Sequence, residues 1–323
     1  MFCGLNGMDK ISKSAIRKVG DRLKNDSATR ADLSLMSAYR ANHVYLTKQL
    51  IQTIKDKLPP PILIARRLKR LGSIVQKLKR FDSMELDRMQ DIGGVRAIFN
   101  NNLEVRRYAE NIKKIYSRRK SAFQIVREND YITEPKQDGY TSYHIVFKYV
   151  GSNECLKGYH LELQLRDVIS HAWATAVEVF ALGSETNLKI GQGDEDSRRF
   201  FALASRLLGG DRGVREEILA LNGKCKILER LNGLSVATDS IIRNDKKADF
   251  YLITLNYKTR MLQLTGYSEK NLSLAQSVYQ AMETSDEMDS VLVGVNDVKK
   301  LKRAYPNYFL DARYFIAKVK GLL

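Results

Sequence analysis

The sequence predicts an α+β fold: helices gather at the front, strands fill the middle, and a ββαβ pattern closes the chain. Three observations carry this. Leu46, Leu50 and Ile54 recur every fourth position, Ile51 and Leu58 complete the stripe, and Pro59-Pro60-Pro61 ends it. The run His160-Leu161-Glu162-Leu163-Gln164-Leu165-Arg166 alternates, so in a strand its leucines share one face and its polar side chains the other. In the tail, Tyr251, Ile253, Leu255 and Tyr257 alternate, then Ala275, Val278, Tyr279 and Met282 fall on one helical side, and Val291, Val293 and Val295 mark a third strand.

The elements follow in order. Residues 10–58 read as helix, and a basic helix is expected over 62–79. A short helix leads to Asp91. Gly93–Phe99 reads as a strand entered through glycines, and 103–118 as a helix. Strands are expected near 122–128, 143–150 and 158–166. Asp167 is placed to cap the next helix, which carries His171-Ala172-Trp173-Ala174. More helix fills 195–232. In the tail a turn at Lys258-Thr259 joins two strands, and Asp297 caps a last helix. The resulting division is an N-terminal helical region (1–60), a core (61–182), its helical extension (183–234) and a separate small α/β domain (235–323).

The chain has 323 residues, 44% hydrophobic and 28% charged, ample for a buried core. No apolar run reaches 18 residues, and the start lacks the layout of a signal peptide, so no membrane span is expected. Cys3, Cys155 and Cys225 are odd in number and far apart; they suggest neither a disulfide framework nor a zinc site, and hence a reducing cytoplasm. The net charge is +17, and from residue 235 onward 13 Lys+Arg stand against 10 Asp+Glu, so the excess belongs to the first three-quarters. Arg66, Arg67, Lys69, Arg70, Lys77, Lys79 and Arg80 occupy a stretch with no acid. Lys113, Lys114, Arg118, Arg119 and Lys120 form a second cluster. Such surfaces attract polyphosphate, nucleic acid or anionic lipid.

Several residues carry candidate chemistry. Lys69, Ser73 and Lys77 share a helical face at spacings of four, a stripe that suits successive phosphates, with Arg67 at its start. Asp91 and Glu162, from different elements, are two carboxylates that can share Mg²⁺. The turn-rich loop Tyr131–His144 presents Tyr140, a flat surface for a base. A charged row on the strand from His160 to Arg166 is a floor for a polar ligand or a solvated sheet face.

In sequence these are Arg-x-Lys-x-x-x-Ser-x-x-x-Lys, Asp-x-x-Gly-Val-Arg, Pro-Lys-x-x-Gly-Tyr-x-Ser-x-His, Glu-x-Gln-x-Arg and His-Ala-Trp-Ala, all within about 110 residues. This order resembles the RelA/SpoT-like pyrophosphokinases, the small alarmone synthetases and their toxic relatives, over roughly residues 40–210. The resemblance implies a nucleotidyltransferase-like mixed sheet flanked by helices. It implies transfer of the β,γ-pyrophosphate of ATP to the ribose 3′-hydroxyl of GDP or GTP, making (p)ppGpp and AMP. Arg67, Lys69, Ser73 and Lys77 would hold ATP. Asp91 would ligate Mg²⁺, and Glu162 would complete the metal site or take the proton of the attacking hydroxyl. Tyr140 would stack on the acceptor base, with Lys136, His144, Gln164 and Arg166 lining the acceptor side. Arg96 stands where the family also has an arginine.

Two departures fall at the acceptor edge. Asp167 replaces the usual Thr after Glu-x-Gln-x-Arg, and Glu178 is followed by Val179 rather than His. They leave open a toxic synthetase, in toxin–antitoxin or phage-defence systems, that modifies the tRNA 3′ end or an adenosine nucleotide. Lys113–Lys120 would then be a tRNA track, and the tail a neutraliser or sensor. A separate neutralising protein or a homo-oligomer is equally compatible. The hydrolase domain of the long family members is not expected, which makes the chain a synthetase only.

Overall fold

A computed structural model describes residues 2–3, 8–117, 121–183, 194–236, 248–256, 261–282, 288–294 and 298–323. A short antiparallel pair, β1 (Phe2–Cys3) and β2 (Met8–Asp9), opens the chain. The apolar stripe of residues 10–58 becomes two helices, α1 (Lys13–Lys24) and α2 (Arg30–Lys57). Asp26, in the left-handed region at φ 54°, turns the chain between them. Thr29 then starts α2 through a reciprocal capping box with Asp32.

The expected basic helix is instead a strand followed by a helix: β3 (Leu63–Leu68) and α3 (Leu71–Arg80). Alternation decides this. Leu63, Ala65 and Arg67 point to one face, Ile64, Arg66 and Leu68 to the other, and both faces find partners. There follow β4 (Gly93–Phe99), α4 (Asn102–Tyr116), β5 (Phe123–Asp130), β6 (Tyr143–Tyr149), β7 (His160–Asp167) and α5 (Val168–Gly183). Asp167 Oδ1 accepts from Ser170 N at 2.7 Å, capping α5. Three helices, α6 (Glu195–Leu208), α7 (Arg215–Cys225) and α8 (Ile227–Val236), occupy the stretch read as helical. The tail supplies β8 (Phe250–Asn256), β9 (Leu262–Tyr267), α9 (Leu272–Met282), β10 (Met288–Gly294), α10 (Val298–Ala304) and α11 (Arg313–Lys320). The expected Lys258-Thr259 turn and Asp297 cap lie outside the described residues.

All strands from β3 on form one mixed sheet, ordered β5-β6-β7-β4-β3-β10-β8-β9. Only β4 and β7 run parallel; the other neighbours are antiparallel. The boundary drawn at residue 235 therefore crosses a continuous sheet. β10 pairs with β3 through Val293↔Arg67 and Gly294↔Arg66, which covers a strand edge that would otherwise be open. One core joins Leu63, Ala65 and Ile98 to Trp173, Phe201, Tyr251, Tyr305 and Phe315, uniting α5, α6, α8 and the tail helices on one face of the sheet. On the other face, Val95, Ala97, Leu161, Leu163, Ile145 and Phe147 pack under α1, α2 and α4. α9 covers Phe250, Leu252 and Leu292.

The cysteines depart from expectation in one respect. Cys155, in the β6–β7 loop, is disulfide-bonded, because sequence separation says nothing about spatial approach. Cys225 is a free thiol.

Candidate active site

Register places the polar residues. Gly94 pairs with Glu162, Arg96 with Gln164, Gln164 with His144, and Arg67 with Gly94. Directly paired residues share a sheet face. Arg67, Arg96, Glu162, Gln164, Arg166 and His144 thus lie on the face covered by α5 and the tail. The leucines of β7 fall on the opposite face, fully buried.

Asp91 stands just ahead of β4 and meets the basic stretch. Lys69 Nζ reaches its Oδ2 and Lys77 Nζ its Oδ1, each at 2.9 Å. Lys69 Nζ comes from the β3–α3 junction and Lys77 from α3, so the stripe expected on one helix is assembled across a strand end and a helix. Ser73 sits on α3 between them in sequence. Burial alone would raise the Asp91 carboxyl, but the two ammonium groups outweigh it and hold it at about 2. Burial lowers Lys69, with Asp91 opposing it.

Glu162 anchors a second cluster. Its Oε1 lies 3.0 Å from His144 Nδ1, and its Oε2 accepts from Gln164 Nε2 at 2.7 Å. Burial pushes Glu162 up, but the His144 hydrogen bond and charge win and lower it; Asp91 works against that ionisation, the effect of a nearby like charge. Tyr140 Oη lies 2.8 Å from His144 Nε2 and accepts from Arg166 at 2.7 Å. Burial would raise the phenol, yet Arg166 and His144 bring it down to about 7. Lys136 Nζ sits 5.1 Å from the Tyr140 ring centroid and 4.6 Å from that of Tyr131. The loop is held in shape by Gly139, at φ 89°, whose added Cβ would lie 2.9 Å from Ser205 Cβ.

Arg67 and Arg96 face the tail. Burial lowers Arg67, but Glu178 on α5 together with the Tyr308 and Tyr305 hydroxyls outweighs it, and the net shift is upward. Arg96 is 8% exposed, and its guanidinium carbon lies 5.8 Å from the Tyr305 ring centroid. Burial and the repulsion of Arg166 and Arg67 lower Arg96 to about 10. His171 Nε2 lies 3.0 Å from the Arg303 carbonyl, and burial holds this imidazole neutral, at about 3. Trp173 donates to the Phe201 carbonyl at 2.8 Å and is a packing residue.

The structure therefore gathers Asp91 with Lys69 and Lys77, and Glu162 with Lys136, Tyr140, His144, Gln164 and Arg166. Of the second basic cluster, Lys113 and Lys114 lie on α4. Lys113 is engaged by Glu110 and Glu128, Lys114 is exposed, and Arg118, Arg119 and Lys120 lie outside the described residues. Tyr131 is a neighbour of this cluster that motif reading passed over. Its ring is 5.3 Å from His144 and 6.0 Å from Tyr140, and only its place at the loop start hinted at this. Tyr305 and Tyr308 are core residues that also face the guanidinium groups of Arg96 and Arg67. Asp91 and Glu162 offer oxygen donors only, both largely buried, a set that suits a hard divalent cation.

Residues 66–180 match a family described as a region found in RelA / SpoT proteins. That match, about a third of the chain, falls within the stretch whose motifs resemble this family. Over 128 residues it is 33% identical to the GTP pyrophosphokinase YjbM of Bacillus subtilis (strain 168), a match spanning 38% of this chain and 56% of that curated relative. Among solved structures it is similar to the small alarmone synthetase 1 from Bacillus subtilis bound to its product pppGpp, at 23% identity over 58% of this chain and 96% of that one, with a TM-score of 0.45. A GTP pyrophosphokinase family protein from Streptococcus pneumoniae matches at 22% identity over 57% and 94%, with a TM-score of 0.43.

Proposed function

We propose that the chain is an ATP-dependent pyrophosphotransferase that acts on the ribose 3′-hydroxyl of a guanine nucleotide, GDP or GTP. The observation that carries this is Asp91 held between Lys69 and Lys77, with Glu162 near enough to feel its charge. The acceptor oxygen attacks the β-phosphorus of ATP. The bond from that phosphorus to the α,β-bridging oxygen breaks, AMP leaves, and the hydroxyl proton passes to the Glu162 carboxylate. Such transfers depend on in-line placement and charge neutralisation more than on covalent help. Lys69, Lys77 and Arg67 bind the triphosphate, with Ser73 beside them. Asp91 and Glu162 would hold Mg²⁺, which supplies further neutralisation when bound. Gln164, Arg166, His144 and Lys136 line the acceptor side. ATP as donor places the reaction in the cytoplasm. γ-labelled ATP and Mg²⁺ with GDP, GTP, AMP, ATP or deacylated tRNA test the reading: label on a guanine nucleotide supports it, and label on no acceptor defeats it.

A second reading has its own support: the same transferase kept neutral by its own tail. Tyr305 and Tyr308, each 1% exposed, face Arg96 and Arg67, and Arg67 is the arginine that would receive ATP. That is the arrangement of a fused neutraliser, and it fits a toxic synthetase. A tRNA acceptor has less support, since Lys113 is already paired with acids. Salt separates the acceptors, because binding through several phosphates weakens steeply with salt and a single nucleotide responds far less.

A further inference from the structure

A cavity of about 190 Å³ opens where the start of α1, Tyr39 of α2, Asp87 and the β6–β7 loop meet. Ile16, Tyr39 and Tyr159 on its walls belong to the core on the sheet face opposite the catalytic cluster. The proposed transfer uses none of its residues.

The charges in this cavity do not balance. Asp87 is taken up by Arg17, whose Nε and Nη2 reach its two oxygens at 3.3 and 3.1 Å. Glu154 accepts from Lys157 at 2.7 Å. Lys10 and Lys13 remain, and neither forms an ion pair or side-chain hydrogen bond among the described residues. Lys13 extends over Gly158: a Cβ there would meet its Cε and Nζ, each at 3.3 Å, and glycine at φ 86° leaves that room open.

Unused donors face the same space. Ser12 caps α1 by accepting from Ala15 N at 3.2 Å. The Lys13 and Ser14 N–H groups at that helix start have no acceptor among the described residues. Across from them stands Tyr39, 6% exposed, whose hydroxyl has no partner among the described residues. Burial pushes this phenol up, and Tyr159 and Asp87 add to the effect, so it stays an O–H donor. The Tyr159 ring lies 4.8 Å from that of Tyr39; its hydroxyl accepts from Asn42 and keeps its own hydrogen to give. A buried donor without an acceptor is costly, and an anion in the cavity would relieve it.

We propose that this cavity binds a phosphate-bearing anion, with Tyr39 as the buried donor, the start of α1 as the N–H cradle, and Lys10 and Lys13 supplying charge. The cavity is smaller than the roughly 300 Å³ at which sites for drug-sized ligands begin. It therefore suits a phosphate group, free or as the head of an ester that reaches outward, rather than an enclosed nucleotide. The site stands independently of the transferase reading.

The test follows the backbone amides of Lys13 and Ser14 in ¹H–¹⁵N spectra of the full chain as inorganic phosphate or AMP is added. Both amides should shift and saturate; the tighter of the two probes tells whether free phosphate or a monoester is the better ligand. Tyr39→Phe should weaken binding by about tenfold or more, the worth of a hydrogen bond to a charged group. Lys13→Gln, at an exposed position that folding does not depend on, should weaken it by about threefold. Lys77→Gln, which loosens the catalytic cluster's hold on phosphate, should leave these shifts in place. Amides that stay still under both probes overturn the proposal. So does a response that Tyr39→Phe and Lys13→Gln leave unchanged, or one that vanishes with Lys77→Gln.

Discussion

Asp91 shows what a single residue takes from its surroundings. Its two lysines keep it ionised against burial, and it keeps two like charges side by side. Asp91→Asn and Glu162→Gln should each cut transfer by at least about 10²-fold, with circular dichroism unchanged; near-normal turnover in either would remove the metal assignment. Asp91→Asn should also cost roughly 1–3 kcal/mol in urea unfolding, because Lys69 loses its partner in a half-buried position. His43 makes a prediction of another kind. It is 0% exposed, and burial pushes it from 6.5 down to about 4. The folded protein keeps it neutral where the unfolded chain would take a proton. Stability is therefore full above pH 6.5 and drains as pH falls through 4, by about 3 kcal/mol at 1.36 kcal/mol per pH unit. His43→Leu should flatten that limb of the stability profile; parallel limbs in wild type and variant would assign the acid sensitivity elsewhere.

Among the elements, β7 was legible and β3 was not. Strict alternation from His160 to Arg166 fixes both the strand and its active face. The stretch from Ile62 to Arg80 carries no such signal. Its arginines and lysines have good helix propensity, and the partners that make Leu63–Leu68 a strand, β4 and β10, lie far away in sequence. Arg66 is the hinge of that pairing: it stacks at 4.6 Å on the Phe250 ring, and a Cβ on Gly294 would fall 2.1 Å from its Nε. Gly294→Ala should thus displace Arg66 and loosen β10 from β3, costing roughly 1–3 kcal/mol in thermal or urea unfolding. A variant as stable as wild type would show that the pairing tolerates a side chain there.

For the whole molecule, the tail is a wall of the fold, and the neutralising reading makes it a lid as well. It completes the sheet through β10 and the core through Tyr251, Tyr305 and Phe315. Deletion after Leu234 should therefore give insoluble protein rather than a freed catalytic core, as judged by the soluble fraction on expression. A point change separates the two roles. Tyr308→Ala should lower the KM for ATP and raise turnover by about tenfold or more, while costing about 3–5 kcal/mol of stability from the cavity left behind. A higher KM for ATP would count against the neutralising reading.

The sequence by itself determined the five motifs, the alternation of β7 and the turn at Gly139, because each rests on local spacing and local backbone preference. Tertiary structure decided the rest: that Lys69 and Lys77 converge on Asp91 from different elements, that Tyr140 is tied through His144 to Glu162, and that the tail extends the sheet over Arg67 and Arg96. Those outcomes depend on which strand edges and charges meet across long stretches of chain, and nothing in the neighbouring residues encodes such meetings.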